Sequence, residues 1–168
     1  MNKLRMGCIV QGALVALLVL LSAAGPARAA CTNGNFAADT FISRWNDRGT
    51  TGKLGPSWHL EKYNSLGFIR QNLDGTSLLL TAKVDKAGCI TRVEIKSRRA
   101  DAEPYAALVA WTSVIIVTNP DLPKERRKDV FKALKLDKPD ADGSCSVNHV
   151  TYKFTEDAET NDFSATPE

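Results

Sequence analysis

Hydrophobic residues first recur at helical spacing in residues 35–46. Phe36, Phe41 and Trp45 fall on one face of a helix of this period, and Asn35 is a good N-cap residue. The pattern therefore predicts an amphipathic helix over these residues. The following segment, 47–56 (DRGTTGKLGP), contains three glycines and a proline, and this composition predicts a loop.

Polar and apolar positions alternate in residues 78–84 and again in 89–97, which is typical of strands with one buried face. Residues 85–88 (DKAG) between them have the composition of a tight turn, so the two strands are predicted to form a hairpin. Residues 66–73 predict a strand before this hairpin, and residues 58–62 predict a short strand before that one. Together these segments indicate a β-meander.

Helical patterns return after the meander. Residues 104–117 predict a buried helix, because proline suits the first turn of a helix and the rest of the segment is largely apolar. Asp121 is predicted to cap a further helix. Residues 139–146 predict a loop, residues 150–154 predict an alternating strand, and residues 163–166 predict an edge strand that returns beside it.

This order of elements predicts the α+β class. We expect a two-layer sandwich in which a mostly antiparallel sheet consists of the β-meander and a C-terminal hairpin. One face of the sheet is predicted to be covered by the N-terminal helix and a pair of helices, since antiparallel sheets commonly pack one face and leave the other in water.

The first part of the chain has the pattern of a secretory signal peptide, predicted at residues 1–29. Two basic residues precede the apolar run 13–21, and small residues follow at positions 27 and 29. We therefore expect one domain, residues 30–168, located in the periplasm or secreted. Cys31 lies just beyond the cleavage zone, so lipidation is an alternative, although Arg28 stands where a lipoprotein signal has an aliphatic residue.

The charge of the chain changes once the signal is set aside. The signal holds three of the 22 basic residues and no acid, so the predicted mature chain has 19 basic and 19 acidic residues. The charge is unevenly placed, with −6 from Asp137 onward and +6 in residues 31–136. A neutral exported domain is not expected to bind nucleic acid. No second apolar segment of spanning length follows, so no membrane span is predicted.

Three cysteines remain after the signal, and an oxidising compartment favours one disulfide and one thiol. Cys89 stands on the apolar side of an alternating strand, which predicts a buried thiol. Cys31 and Cys145 lie in polar, irregular segments, so the predicted disulfide joins these two. The pairing Cys31–Cys89 is the alternative.

Two places could carry acid–base chemistry. His59 and Glu61 would share one side of a strand, as a catalytic pair or as an exposed ion pair. His149 would stand on the polar side of the strand 150–154. Neither place has a nucleophile motif or a spacing typical of metal ligands. The sequence therefore predicts no catalytic residue, no metal site and no cofactor.

The strongest binding residue predicted from the sequence is Trp58. Only Ser57 separates it from the glycine-rich segment, and a large aromatic beside a loop can anchor a partner; burial in the core is the alternative and the commoner outcome for such a residue. His59 and Lys53 would belong to the same site.

We therefore expect a non-enzymatic binding or accessory protein of inhibitor, immunity or assembly-accessory type. Its expected partner is another envelope or secreted protein, and the sequence does not predict its oligomeric state. The alternative is a small envelope hydrolase that uses His59 and Glu61, or His149.

Overall fold

The computed structural model describes residues 31–50, 58–73, 76–98, 104–136 and 142–168. These residues form a short 3-10 helix, Gly34–Phe36, and three α-helices: α1 (Ala38–Thr50), α2 (Pro104–Thr118) and α3 (Lys124–Ala133). They also form six β-strands: β1 (Phe68–Asn72), β2 (Leu79–Val84), β3 (Ile90–Arg98), β4 (Asp142–Val147), β5 (Val150–Glu156) and β6 (Thr160–Pro167).

The six strands form one antiparallel sheet in the order β1-β2-β3-β6-β5-β4. Each half is a three-stranded meander, and the two halves meet where β3 pairs with β6. The order is symmetric about the central pair: β3 and β6 lie at the centre, β2 and β5 lie next to them, and β1 and β4 lie at the two edges. The predicted α+β class and the predicted hairpin of β2 and β3 are confirmed.

The helices lie on one face of the sheet. Helix α2 contacts β3 and β6 at the centre, and α1 packs against α2. The Trp111 ring of α2 lies 4.9 Å from the Phe154 ring and 6.1 Å from the Phe163 ring, measured between centroids. Helix α3 ends against β4, where a Cβ on Gly143 would come within 2.7 Å of the backbone of Leu134. This close approach requires glycine at that position.

The predicted first helix starts three residues later than expected. Residues 34–36 form the 3-10 helix instead, and Ala37 makes an isolated antiparallel bridge with Cys89. The backbone N–H of Ala38 then donates to the carbonyl of Gly88 at 3.0 Å. These contacts hold the start of the described chain against the β2–β3 turn, so α1 begins only at Ala38.

The predicted strand at 58–62 is wrong. Asn46 of α1 occupies both backbone groups of Leu60: the Leu60 N–H donates to Asn46 Oδ1 at 2.8 Å, and Asn46 Nδ2 donates to the Leu60 carbonyl at 2.9 Å. One amide side chain thus provides the pair of hydrogen bonds that a neighbouring strand would provide. The segment therefore runs along the helix and not in the sheet.

Three predictions for the second half also need correction. Much of the predicted loop 139–146 is strand β4, whose small and polar residues suit an edge with one exposed side. The predicted edge strand at 163–166 belongs to the central strand β6, because β6 pairs with β3 on one side and with β5 on the other. Helix α3 is preceded by Pro123 at the N-cap position and not by Asp121, which is exposed.

Candidate functional site

Trp58, the strongest binding residue predicted from the sequence, is a core residue. Its side chain is 5% exposed, and its carbonyl accepts a hydrogen bond from Trp45 Nε1 at 2.6 Å. The expectation that Trp58 is partly exposed and anchors a partner is therefore wrong, and its core alternative holds. His59 beside it is exposed, whereas Lys53 lies outside the described residues.

The predicted acid–base pair finds no support in the geometry. His59 and Glu61 are both exposed on the segment that runs along α1. No ion pair joins them in the part of the chain that the structure describes. Nor do the described residues contain a group of three His, Cys, Asp or Glu side chains that could hold a metal ion.

The disulfide joins Cys31 to Cys89, with Cα atoms 5.6 Å apart, and the predicted pairing of Cys31 with Cys145 is wrong. Cys145 lies on edge strand β4, which is three strands from β3 and thus about 14 Å away. A disulfide needs Cα atoms within about 7 Å. Cys145 is a half-buried thiol, and burial raises its pKa.

The sheet surface that points away from the described helices carries many exposed polar and charged side chains, and we call it the open face. No described helix covers it. Strands β1–β3 form its basic half, which carries Arg70, Lys83, Arg92, Glu94, Lys96 and Arg98. Strands β4–β6 contribute hydroxyl groups, from Ser144, Ser146, Thr151, Thr155 and Thr166, together with the charged residues Lys153, Asp142 and Asp162.

Part of the charge on the open face is neutralised internally. Glu94 binds Arg92 at 2.7 Å and lies 3.8 Å from the Lys96 ammonium. Lys96 also binds Asp162 of β6 at 3.2 Å. By contrast, Arg70, Lys83 and Arg98 are exposed and form no ion pair with any residue that the structure describes. The basic half therefore carries uncompensated positive charge.

The register places two cations of the basic half side by side. Lys83 of β2 lies directly opposite Arg92 of β3. Arg92 is paired with Glu94, so Lys83 is the cation of this pair that has no ion-pair partner among the described residues. Phe68 of β1 continues the same row opposite Lys83, and its side chain is 38% exposed. The row thus presents two cations and an aromatic ring to solvent.

A polar cleft of about 470 Å³ lies at the end of the sheet where β4 turns into β5. His149 lines it together with Asp121 and Glu168. Asn148 and His149 form the turn with φ values of 49° and 61°, a left-handed conformation that favours glycine in the second place. His149 is thus held at the cleft in a conformation that costs free energy.

Glu168 connects this cleft to the sheet. Its backbone N–H donates to the His149 carbonyl at 2.9 Å, and Thr151 Oγ1 donates to its carboxylate at 2.6 Å. Hydrogen bonds from Ser146 and Thr151, with a smaller contribution from His149, lower the pKa of the Glu168 carboxyl. The cleft therefore has an ionised carboxylate near an exposed imidazole.

The amides at the base of the cleft are occupied by structural bonds. Asn35 Nδ2 donates to the Thr118 carbonyl at 3.0 Å, and Asn35 Oδ1 accepts from Arg44. Asn119 Nδ2 donates to the Tyr152 hydroxyl at 2.6 Å. Asn35 thus ties the 3-10 helix to the end of α2, and Asn119 ties the end of α2 to β5, so these two amides are already used within the fold.

Sequence reasoning missed the open face, although its signal was present. Lys83, Arg92 and Lys96 all stand at the polar positions of the predicted alternation. Combined with a helix layer on one side only, this parity places the cations together on the uncovered side. Their sum over neighbouring strands depends on which strands pair and in what register, which the alternation within one strand does not give.

None of the described helices has the length and apolar character to cross a membrane. Comparison of the chain with protein-family models, with curated proteins and with solved structures finds no significant match.

Proposed function

We propose that this chain is an exported, non-enzymatic binding protein of the periplasm or cell envelope, of inhibitor, immunity or assembly-accessory type. The observation that carries the proposal is the open face, a broad surface of a rigid sheet with exposed cations and hydroxyl groups. Its geometry suits a protein partner, because most protein interfaces are extended surfaces rather than deep pockets. The export part of the proposal rests on residues 1–29.

Site-specific photo-crosslinking in the cells that produce the protein tests this function. A photoreactive amino acid replaces Thr81 or Thr155 on the open face, or Ser43 on the exposed side of α1 as the matched control. We expect both open-face positions to capture the same protein and the α1 position to capture none. Capture from α1 alone, or from no position, contradicts the proposal.

Export has its own test. Residues 1–30 fused to a reporter that is active only outside the cytoplasm should give activity, and the mature protein should begin at Ala30 or Cys31. N-terminal sequencing of the protein from a periplasmic extract measures the cleavage site. An uncleaved chain that stays in the cytoplasm contradicts the export proposal and leaves the crosslinking result to stand separately.

The polar cleft supports a second candidate, a small envelope hydrolase with His149 as its acid–base group. What favours it is the strained backbone of His149 beside the ionised Glu168. Purified mature protein is assayed with chromogenic ester, amide and glycoside substrates. Turnover that His149→Ala abolishes, in a variant with unchanged urea unfolding, would replace the binding proposal with this one.

A further inference from the structure

The basic half of the open face carries five cations and one carboxylate, Glu94. We propose that the partner of the open face is a protein whose docking surface is rich in Asp and Glu, and that the basic half receives this surface. This inference rests on the proposed function, because it names the kind of partner that the open face binds. The charge complementarity of the two surfaces is its basis.

The three unpaired cations spread over all three strands of the basic half. Arg70 lies on β1, Lys83 on β2 and Arg98 at the end of β3. A single small anion cannot contact all of them, since neighbouring strands are about 4.8 Å apart and the cations also differ in position along the strands. An extended surface with several carboxylates can contact all three.

The shape and composition of the open face favour a protein over other polyanions. The six strands span roughly 24 Å, which is the width of a standard protein interface and not of a groove that follows a linear polymer. Phe68, at the edge of the basic half, adds an exposed aromatic ring in the row of Lys83 and Arg92. Arginine and aromatic residues are the common energetic centres of protein interfaces.

The placement of Lys83 opposite Arg92 supports the same conclusion. Arg92 is already paired with Glu94, whereas Lys83 forms no ion pair with a described residue. A carboxylate from a partner at this place would pair with Lys83 and lie close to Arg92 as well. The complex is therefore expected to be strongly salt-dependent, because exposed charges at an interface mainly accelerate association.

Binding of poly-L-glutamate, used as a simple acidic polypeptide, tests the inference on purified mature protein. The open-face variant combines Arg70→Gln, Lys83→Gln and Arg98→Gln. The control variant removes the same charge from exposed positions on α3, with Lys124→Gln, Arg126→Gln and Lys128→Gln. Both variants have the same net charge, so a difference between them reports the place of the charge.

We expect the wild-type protein to bind poly-L-glutamate and to lose about tenfold in affinity between about 0.05 M and 0.5 M salt. The open-face variant should bind at least about tenfold more weakly, and the control variant within about twofold of wild type. Circular dichroism and urea unfolding should be the same for all three proteins, because every substituted side chain is exposed.

An equal loss in both variants overturns the inference, since binding would then follow net charge alone. Tighter binding of heparin or of phosphatidylglycerol vesicles through the same three residues also overturns it, in favour of a sulfated polysaccharide or a membrane. The inference is also overturned if the wild-type protein self-associates and the open-face variant does not, because the basic half would then bind a second copy of the chain. A crosslinked partner without an acidic surface overturns this inference and leaves the proposed function intact.

Discussion

Replacement of Tyr152 by phenylalanine should destabilise the fold well beyond the loss of one oxygen atom. The Tyr152 hydroxyl lies 2.8 Å from Thr118 Oγ1 and accepts from Asn119 Nδ2 at 2.6 Å. Thr118 uses its single hydroxyl proton for the Val114 carbonyl at 2.7 Å, so the tyrosine must donate to Thr118. The hydroxyl of Tyr152 is thus both donor and acceptor.

The magnitude follows from the burial of these groups. Tyr152 and Thr118 are fully buried, and Asn119 is 4% exposed. Removing the hydroxyl loses two hydrogen bonds, each with a net contribution of about 1 kcal/mol, and leaves a buried amide donor without its partner. We expect Tyr152→Phe to lower the free energy of unfolding by about 2–3 kcal/mol, and Tm by roughly 8 °C.

Urea unfolding followed by tryptophan fluorescence measures this change. Tyr105→Phe is the matched control, because Tyr105 is 80% exposed and its hydroxyl should matter by less than about 0.5 kcal/mol. A double-mutant cycle with Thr118→Val tests the coupling, and the double variant should lose at least about 0.5 kcal/mol less than the sum of the single variants. Additive effects, or a Tyr152→Phe protein as stable as wild type, would refute the reasoning.

Further predictions concern the disulfide, the thiol, one glycine and alkaline pH. The disulfide closes a separation of 58 residues, so replacing Cys31 and Cys89 by serine should cost about 4 kcal/mol in urea unfolding; a loss under about 1 kcal/mol would contradict this. Cys145 should react with a thiol reagent only slowly at neutral pH, and fast labelling of the folded protein would contradict its burial. Gly143→Ala should lower stability by about 1–3 kcal/mol, because its Cβ would meet the backbone at the end of α3; an unchanged Tm would show that this contact can relax. Burial raises the pKa of the Tyr152 hydroxyl in the folded protein above its pKa in the unfolded chain. The contribution of this hydroxyl to stability is therefore complete below its unfolded-chain pKa and is lost as the pH rises through its pKa in the folded protein. Alkaline unfolding should therefore be less steep in Tyr152→Phe than in wild type, and equal slopes would contradict the shift.

Local chemistry made part of this fold predictable. In the β2–β3 turn, Asp85 Oδ1 accepts from the backbone N–H groups of Ala87 and Cys89, each at 2.9 Å, and Gly88 has a φ of 84°. These are preferences that short segments show by themselves. The hairpin could therefore be predicted with the correct turn, and so could the buried helix that becomes α2.

The features that went wrong depend on contacts between distant segments. The isolated bridge between Ala37 and Cys89 brings Cys31 close to Cys89, and nothing near Cys89 in the sequence encodes that contact. The burial of Trp58 depends in the same way on α1, where Trp45 donates to the Trp58 carbonyl and Asn46 holds Leu60, two residues further on. Strand β4 has few residues that favour strands, and it is held in the sheet by its pairing with β5.

For the open face, the side of each strand on which a charged residue lies could be predicted from the sequence, but the arrangement of these residues across neighbouring strands could not. Alternation alone assigns Lys83 and Arg92 to the polar side of their strands. Their direct opposition depends on the irregular register between Lys83 and Val84, which one sequence does not reveal. The binding residue chosen from sequence, Trp58, failed because a large aromatic near a glycine-rich loop is also a good residue for closing a core.

The bond between Cys31 and Cys89 also determines which chemical modifications are possible at the Cys31 sulfur. A lipoprotein carries its diacylglyceryl group as a thioether on the sulfur of its first cysteine. In this protein the Cys31 sulfur is bonded to the Cys89 sulfur, so it cannot form a thioether as well. Lipid attachment at Cys31 and the disulfide therefore exclude each other on any one molecule.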